Sequence, residues 1–287
     1  MRIAFRMVDV FAEARFGGNR LCVVPDTPPE LDADTMQALA LEINFSETTF
    51  VTAIRPDGYD VRIFTPDAEL PFAGHPTLGT AFVLASEGRT SASVTQTCAA
   101  GDVPVEVDLA DGRARMHQLP PVFGRLFDER VAVARAAGLQ PEDLIDDLPI
   151  VPVSTGIPHV MVPVCDEAAL RRASRHVSAA EVCAAADHAE SLYLFTVRGD
   201  GDVMARMFDR GHGIGEDPAS GSAAGPLGAY LAEHGLAGMP GALTVAQGEL
   251  TGRPSFLFVD IERAAAGGWD VHVGGGVRRV GEGFFEL

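Results

Sequence analysis

The sequence predicts an α+β fold of two pseudo-symmetric halves, each a mixed, curled β-sheet around a central α-helix. Three observations predict it. The order of strand and helix patterns runs twice through the 287-residue chain. "ELPFAG" at 69–74 returns as "EDPASG" at 216–221, both E-x-P-x-x-G, and Leu84-Ala85 return as Leu231-Ala232 at the same offset of 147 residues, 74 to 221 and 84 to 231. The runs that follow, 75–87 and 222–234, are apolar nearly all round, the pattern of a helix buried on every side. Two copies are too few for a solenoid, which needs at least about three.

The elements follow in order. "RIAFRMVDVFA" and "RLCVVPD" read as strands separated by the turn "FGGN". "LDADTMQALALEIN" (31–44) reads as a helix with Asp34 as N-cap, Met36, Leu39, Ala40 and Ile43 as its apolar stripe, and Asn44 as its end. "ETTFVTAI" and "DVRIFTP" are β-branched and aromatic, hence strands. A helix over 75–88 stops near Gly88, and strands "ASVTQTC", "GDVPVEVDLA" and "RARMHQL" follow. Pro120 and Pro121 then break the sheet pattern, and two polar, Ala-rich helices are expected before 150. The pattern restarts with strands "IVPVSTG" and "HVMVPVC", a helix near 167–187, and strands "LYLFTV" and "DVMARMF". After a Gly-rich loop come helix "SAAGPLGAYLAEHG" and strands "GALTVAQGE", "SFLFVDIE", "WDVHVGG" and "VRRVGEGFFEL". The expected halves are 1–119, with 275–287 crossing back to it, and 120–274, with the active site in the cleft between them. "GNRLCVV" is echoed by "GIPHVMV" at 156–162, and "VRIF" at 61–64 by "ARMF" at 205–208.

Composition narrows the function. No window approaches the roughly 18 apolar residues of a membrane span, and the first residues lack the apolar core of a secretory signal, so a cytoplasmic location is expected. A net charge of −18 disfavours nucleic acid and anionic membrane as partners. All 22 basic residues are Arg. The absence of Lys excludes a pyridoxal Schiff base, a Walker-type phosphate loop and a Lys base or nucleophile. Cys22, Cys98, Cys165 and Cys183 form no C-x-x-C pair and read as buried small hydrophobes. The histidines show no H-x-x-x-H or H-E-x-x-H spacing, so no metal is indicated. "SGSAAG" is not the G-x-S-x-G elbow of a serine hydrolase, and "GHGIGEDP" is not a dinucleotide fingerprint.

The repeated loop carries the chemistry. In each copy a glycine, Gly74 or Gly221, stands just before the first helical turn, where N–H groups are free and the dipole is positive. Two such helix starts can grip a carboxylate without Arg or Lys. His75 and Ser222 occupy equivalent places one residue later and read as caps, His being a poor one. Asp217 precedes a proline and reads by itself as a turn-former. Glu47, in "NFSETTF", reads by itself as an exposed loop carboxylate. His159, in "STGIPH", aligns with Leu21 and Cys22 and reads as packing; His212 lies just before the second loop and reads as a loop residue.

Together, "GGNRLCVV", "NFSETTFV", "FTPDAELPFAGHPTLGTAF", "STGIPH", "GEDPASGSAAGPLGAYL" and "VGGGVRRVGEGFFEL" resemble the PhzF-like family, named for the phenazine-biosynthesis isomerase. They span nearly the whole chain in the family's order. The resemblance implies the diaminopimelate-epimerase-like fold and a homodimer. Its racemase relatives carry paired cysteines at the two helix starts, where this chain has His75 and Ser222, so two-thiol racemisation is not expected. The resemblance implies Glu47 as the acid/base, with His75 and Asp217 also catalytic, sharing hydrogen bonds to the substrate and proton shuttling. It implies Gly74, Ser220, Gly221 and Ser222 as substrate-binding, Ser220 standing where many members have Thr. The implied reaction is isomerisation of a small cyclic carboxylic acid, the type substrate being trans-2,3-dihydro-3-hydroxyanthranilate, with no metal or organic cofactor. Burial is expected to raise the pKa of the Glu47 carboxyl. The alternatives are an epimerase of another amino or hydroxy acid, and a non-catalytic ligand-binding protein on the same fold.

Overall fold

A computed structural model describes residues 1–199, 201–211 and 215–287; His212 lies outside them. The chain divides into two units, one comprising Met1–His117 and Gly274–Leu287, the other Gln118–Val273.

Unit 1 carries β1 (Arg2–Val10), β2 (Asn19–Val24), α1 (Ala33–Ile43), β3 (Glu47–Arg55), β4 (Gly58–Phe64), β5 (Glu69–Leu70), α2 (Gly74–Ser86), β6 (Ser93–Cys98), β7 (Gly101–Asp108) and β8 (Arg113–His117). β1 runs antiparallel to β2, β2 parallel to β3, and β3 antiparallel to β4. β4 pairs antiparallel with β5 and parallel with β6, and β6, β7 and β8 form an antiparallel meander. Helix α2 touches β1, β2, β3, β6, β7 and β8, so the sheet curls around it. Every α2 residue from Gly74 to Ala85 is buried. Gly79 is needed there, since a Cβ would stand 2.5 Å from a Leu21 methyl. A second core lies under α1, where Met36, Leu39 and Ala40 pack with Ile3, Val24, Phe50 and Phe64.

Unit 2 repeats this order. It has β9 (Val122–Phe123), α3 (Arg130–Ala136), β10 (Val151–Ser154), β11 (Pro158–Pro163), α4 (Glu167–Arg172), α5 (Ala179–Ala185), β12 (Ser191–Val197), β13 (Val203–Asp209), β14 (Glu216–Asp217), α6 (Gly221–Glu233), β15 (Gly241–Gln247), β16 (Ser255–Arg263) and the start of β17 (Trp269–Glu286). β10 is antiparallel to β11, β11 parallel to β12, and β12 antiparallel to β13. β13 pairs antiparallel with β14 and parallel with β15, and β15 is antiparallel to β16. This is the pairing sequence of β1 to β7, and α6, buried from Gly221 to Ala232, takes the place of α2. Val133, Ala134, Leu170, Val182, Leu192 and Phe208 belong to a core formed where α3, α4 and α5 cover the sheet.

The repeated motifs have a structural reason. Arg62 of "VRIF" forms a two-pronged ion pair with Glu69 of "ELPFAG", at 2.7 Å on both prongs. Arg206 of "ARMF" does the same with Glu216 of "EDPASG", at 2.8 and 2.6 Å. Each guanidinium also lies over the phenylalanine two residues on, Phe64 or Phe208. The clamp ties the strand to the loop before the central helix.

Four expectations change. Asp32, not Asp34, caps α1, its side chain accepting from the Thr35 N–H at 2.9 Å. The helix expected near 167–187 is two, because Ser174 and His176 donate their N–H groups to Ala137 and Ala136 instead of continuing the coil. "WDVHVGG" and "VRRVGEGFFEL" form one strand, β17. Its glycines serve close approach rather than a turn: a Cβ on Gly276 would stand 2.3 Å from the Ala12 carbonyl oxygen. The expected buried set of cysteines holds for Cys22 and Cys183, whereas Cys98 is half-buried and Cys165 exposed. From Gly274 onward β17 belongs to unit 1, pairing antiparallel with β1.

Candidate active site

Helix α2 starts at Gly74, with Ala73 as its N-cap and no side chain capping the first turn. Helix α6 starts at Gly221 with Ser220 as N-cap, again without a capping side chain. His75 and Ser222 are therefore second residues of their helices and not caps, which corrects the expectation. Neither N-cap side chain makes a capping hydrogen bond, the arrangement that leaves a first turn open to an anion.

In unit 1, Glu47 opens β3 and its side chain is only 12% exposed, so it is not the exposed loop carboxylate that its neighbours suggest. The parallel register sets Glu47 opposite Leu21. Its Oε2 lies 3.3 Å from Nε2 of His75, which is buried and also faces the Arg20 carbonyl oxygen at 3.3 Å. The other ring nitrogen, Nδ1, lies 3.3 Å from the Asn19 amide nitrogen, and the Ser46 hydroxyl donates to the Asn19 Oδ1 at 3.1 Å. Burial pulls the His75 pKa down to about 3, against the Arg20 carbonyl, so the ring is neutral at ordinary pH.

In unit 2, Asp217 ends β14 and is buried. The Ser220 hydroxyl donates to its Oδ2 at 2.5 Å. Gln247 braces the turn, donating from Nε2 to the Asp217 carbonyl at 2.8 Å and to the Ser220 Oγ at 3.0 Å, while accepting from the Tyr193 hydroxyl at 2.9 Å. The Gly221 carbonyl accepts from Gln118, which in turn accepts from the Thr155 hydroxyl.

Ser222 brings in His159, read from the sequence as packing, and Ser191, which sequence reasoning missed. Its Oγ lies 3.1 Å from His159 Nε2, and His159 Nδ1 lies 2.8 Å from the Ser191 hydroxyl. His159 is thus bonded at both nitrogens rather than merely packed, and burial lowers its pKa to about 4. The β11–β12 register pairs His159 with Ser191 as β2–β3 pairs Leu21 with Glu47. Each unit therefore places an imidazole between its helix start and the first residue of the equivalent strand. The "GNRLCVV"–"GIPHVMV" echo held that alignment.

Chemically, unit 1 offers a carboxylate beside a neutral imidazole, and unit 2 offers hydroxyls, a buried carboxylate and a helix start.

The chain resembles known proteins along nearly its whole length. The chain is 34% identical over 281 residues to the trans-2,3-dihydro-3-hydroxyanthranilate isomerase of Pseudomonas aeruginosa, covering 96% of this chain and 97% of that one. The crystal structure of a Bacillus anthracis phenazine biosynthesis protein of the PhzF family superposes with a TM-score of 0.89 at 26% identity, covering all of both chains. A probable proline racemase from Agrobacterium radiobacter shares the fold, with a TM-score of 0.68 at 14% identity over 99% of this chain and 93% of that one. The profile of the phenazine biosynthesis-like protein family matches residues 8–283, and the chain belongs to that family.

Proposed function

We propose that this chain moves a proton between two carbons of a small cyclic carboxylic acid by acid/base catalysis without a cofactor, with trans-2,3-dihydro-3-hydroxyanthranilate as the type substrate. That the chain is an isomerase follows from the family and its named relatives. The observation that carries the finer reading is the Glu47–His75 pair, a largely dehydrated carboxylate held against a neutral, buried imidazole. Glu47 takes the proton from one ring carbon and returns it to another on the same face. One carboxylate serves both steps where water is excluded, because its proton is then not exchanged away. Asp217 and Ser222 hydrogen-bond the amino or hydroxyl substituents. Gly74, Ser220 and Gly221 bind substrate at helix starts whose N-cap side chains make no capping hydrogen bond.

The alternative of two-thiol epimerisation has no support at the helix starts, where the side chains are His75 and Ser222. The test is turnover of trans-2,3-dihydro-3-hydroxyanthranilate in deuterated water. Isomer formed with little solvent deuterium supports the proposal. Deuterium entering a stereocentre of recovered acid, without isomer, assigns an epimerase, and no reaction with tight binding assigns a ligand-binding protein.

A further inference from the structure

Taking Glu47 as the base, as proposed above, we infer that Asn19 is a positioning residue that fixes His75 with its proton on Nε2, making the ring a fixed neutral neighbour of the Glu47 carboxylate and not a carrier of protons. The argument runs around the ring. Nε2 faces two groups that only accept hydrogen bonds here, the Arg20 carbonyl oxygen and the Glu47 carboxylate, each at 3.3 Å. A bare Nε2 would set its lone pair against both, so Nε2 carries hydrogen. The buried ring is neutral, so Nδ1 is bare and must accept. Its partner is Asn19, which is fully buried and can donate only through its NH2 group. That demand sets the amide, and the Ser46 hydroxyl donates to its opposite end.

The consequence is chemical. Relay through an imidazole requires one nitrogen to receive a proton while the other releases one. In the state fixed by Asn19, Nε2 already carries a proton, and the NH2 group opposite Nδ1 cannot take one. The Nε2–H bonds the Arg20 carbonyl with the Glu47 carboxylate 3.3 Å away, so the ring turns its N–H edge to Glu47 while the proton that Glu47 removes stays on the carboxylate until it is returned. The expectation that His75 shuttles the proton gives way to a fixed donor. Unit 2 supplies the contrast, since His159 sits between two hydroxyls that can each donate or accept.

Nitrogen NMR of the full chain labelled with 15N-histidine tests this, with His75→Gln assigning the resonances. The expected result at neutral pH is a bare Nδ1 and a protonated Nε2 on His75. A neutral ring with its proton on Nδ1, or an imidazolium, overturns the inference. Asn19→Asp places a carboxylate oxygen opposite Nδ1. It is expected to draw a proton to that nitrogen and to lower kcat by up to about 100-fold with KM little changed, the cost of a misaimed catalytic group. Wild-type ring nitrogens or wild-type kcat in Asn19→Asp would equally overturn it. The wild-type spectrum needs neither substrate nor a folded variant at position 19. It therefore decides the state of the ring even where the substrate assignment fails.

Discussion

Two helix starts built on one plan carry different chemistry. In unit 1 the helix bears the imidazole, His75, and the strand bears a carboxylate, Glu47. In unit 2 the helix bears a hydroxyl, Ser222, the equivalent strand bears Ser191, and the imidazole of His159 comes from the strand between them. An imidazole bridges helix and strand in both, but only unit 1 pairs it with a group that can take a proton from carbon. The loop before the helix differs in the same sense. β5 ends in Leu70 where β14 ends in the buried Asp217, although the adjoining Arg–Glu clamp is kept in both. On the proposed reading, the shared scaffold carries proton abstraction in one copy and recognition in the other.

The largest expected effect breaks the comparison at its reactive end. Glu47→Gln keeps the shape and should lower turnover by about 10²- to 10⁴-fold with binding retained, whereas Ser191→Ala at the equivalent place should leave turnover within a few-fold, as steady-state kinetics and calorimetric binding would show. Equal losses would erase the division of roles.

Next in size is the clamp of unit 2. Arg206 is nearly buried and also donates to the Leu170 and Ala173 carbonyls, so Arg206→Met should cost about 3–5 kcal/mol in urea unfolding. Removal of one partner there leaves Glu216 and those carbonyls without their cation.

The two histidines then distinguish the protein's response to acid. Both have native pKa values below the ordinary 6.5, about 3 for His75 and about 4 for His159. Below pH 6.5 the unfolded chain binds protons that the native chain refuses, so stability rises with pH across this window and falls as acid is added. Between pH 7 and 5 each ring should account for about 2 kcal/mol of lost stability. His75→Gln and His159→Gln should each flatten the stability–pH curve by about that amount, and an unchanged slope would show that the ring is protonated in the native state.

Smallest is Arg62→Met, which removes an exposed clamp in unit 1 and should change stability by about 0.2–1 kcal/mol. A loss equal to that of Arg206→Met would mean that burial does not set the worth of the clamp.

The fold class was legible because the repeat is written in local motifs. The Arg of "VRIF", the Glu of "ELPFAG" and the apolar helix all recur in "ARMF…EDPASG" and its helix, and each has a packing reason visible over a few residues. Glu47 was legible only through the family resemblance, since its burial comes from the parallel register of β2 and β3 and not from its neighbours in sequence. His159 was out of reach for the same cause, its partners lying 32 and 63 residues away. Asn19 reads as part of a turn in "FGGN", yet it begins β2 and is fully buried beside His75. The sequence splits β17 at "VGGGV" because the signal for a bend and that for a close backbone approach are the same residue. Only the Ala12 carbonyl packed against Gly276 tells them apart.

The path of β17 bears on the order in which the chain can be completed during synthesis. Unit 2 is contiguous and ends at Val273, so all of it exists before the last 14 residues are made. Unit 1 begins at the first residue, but the neighbour of β1, from Arg2 opposite Glu286 to Val10 opposite Val277, is supplied by those last residues. A nascent chain therefore holds the outer edge of β1 open until residues 277–286 have been made, and the half that bears Glu47 closes only after unit 2 exists.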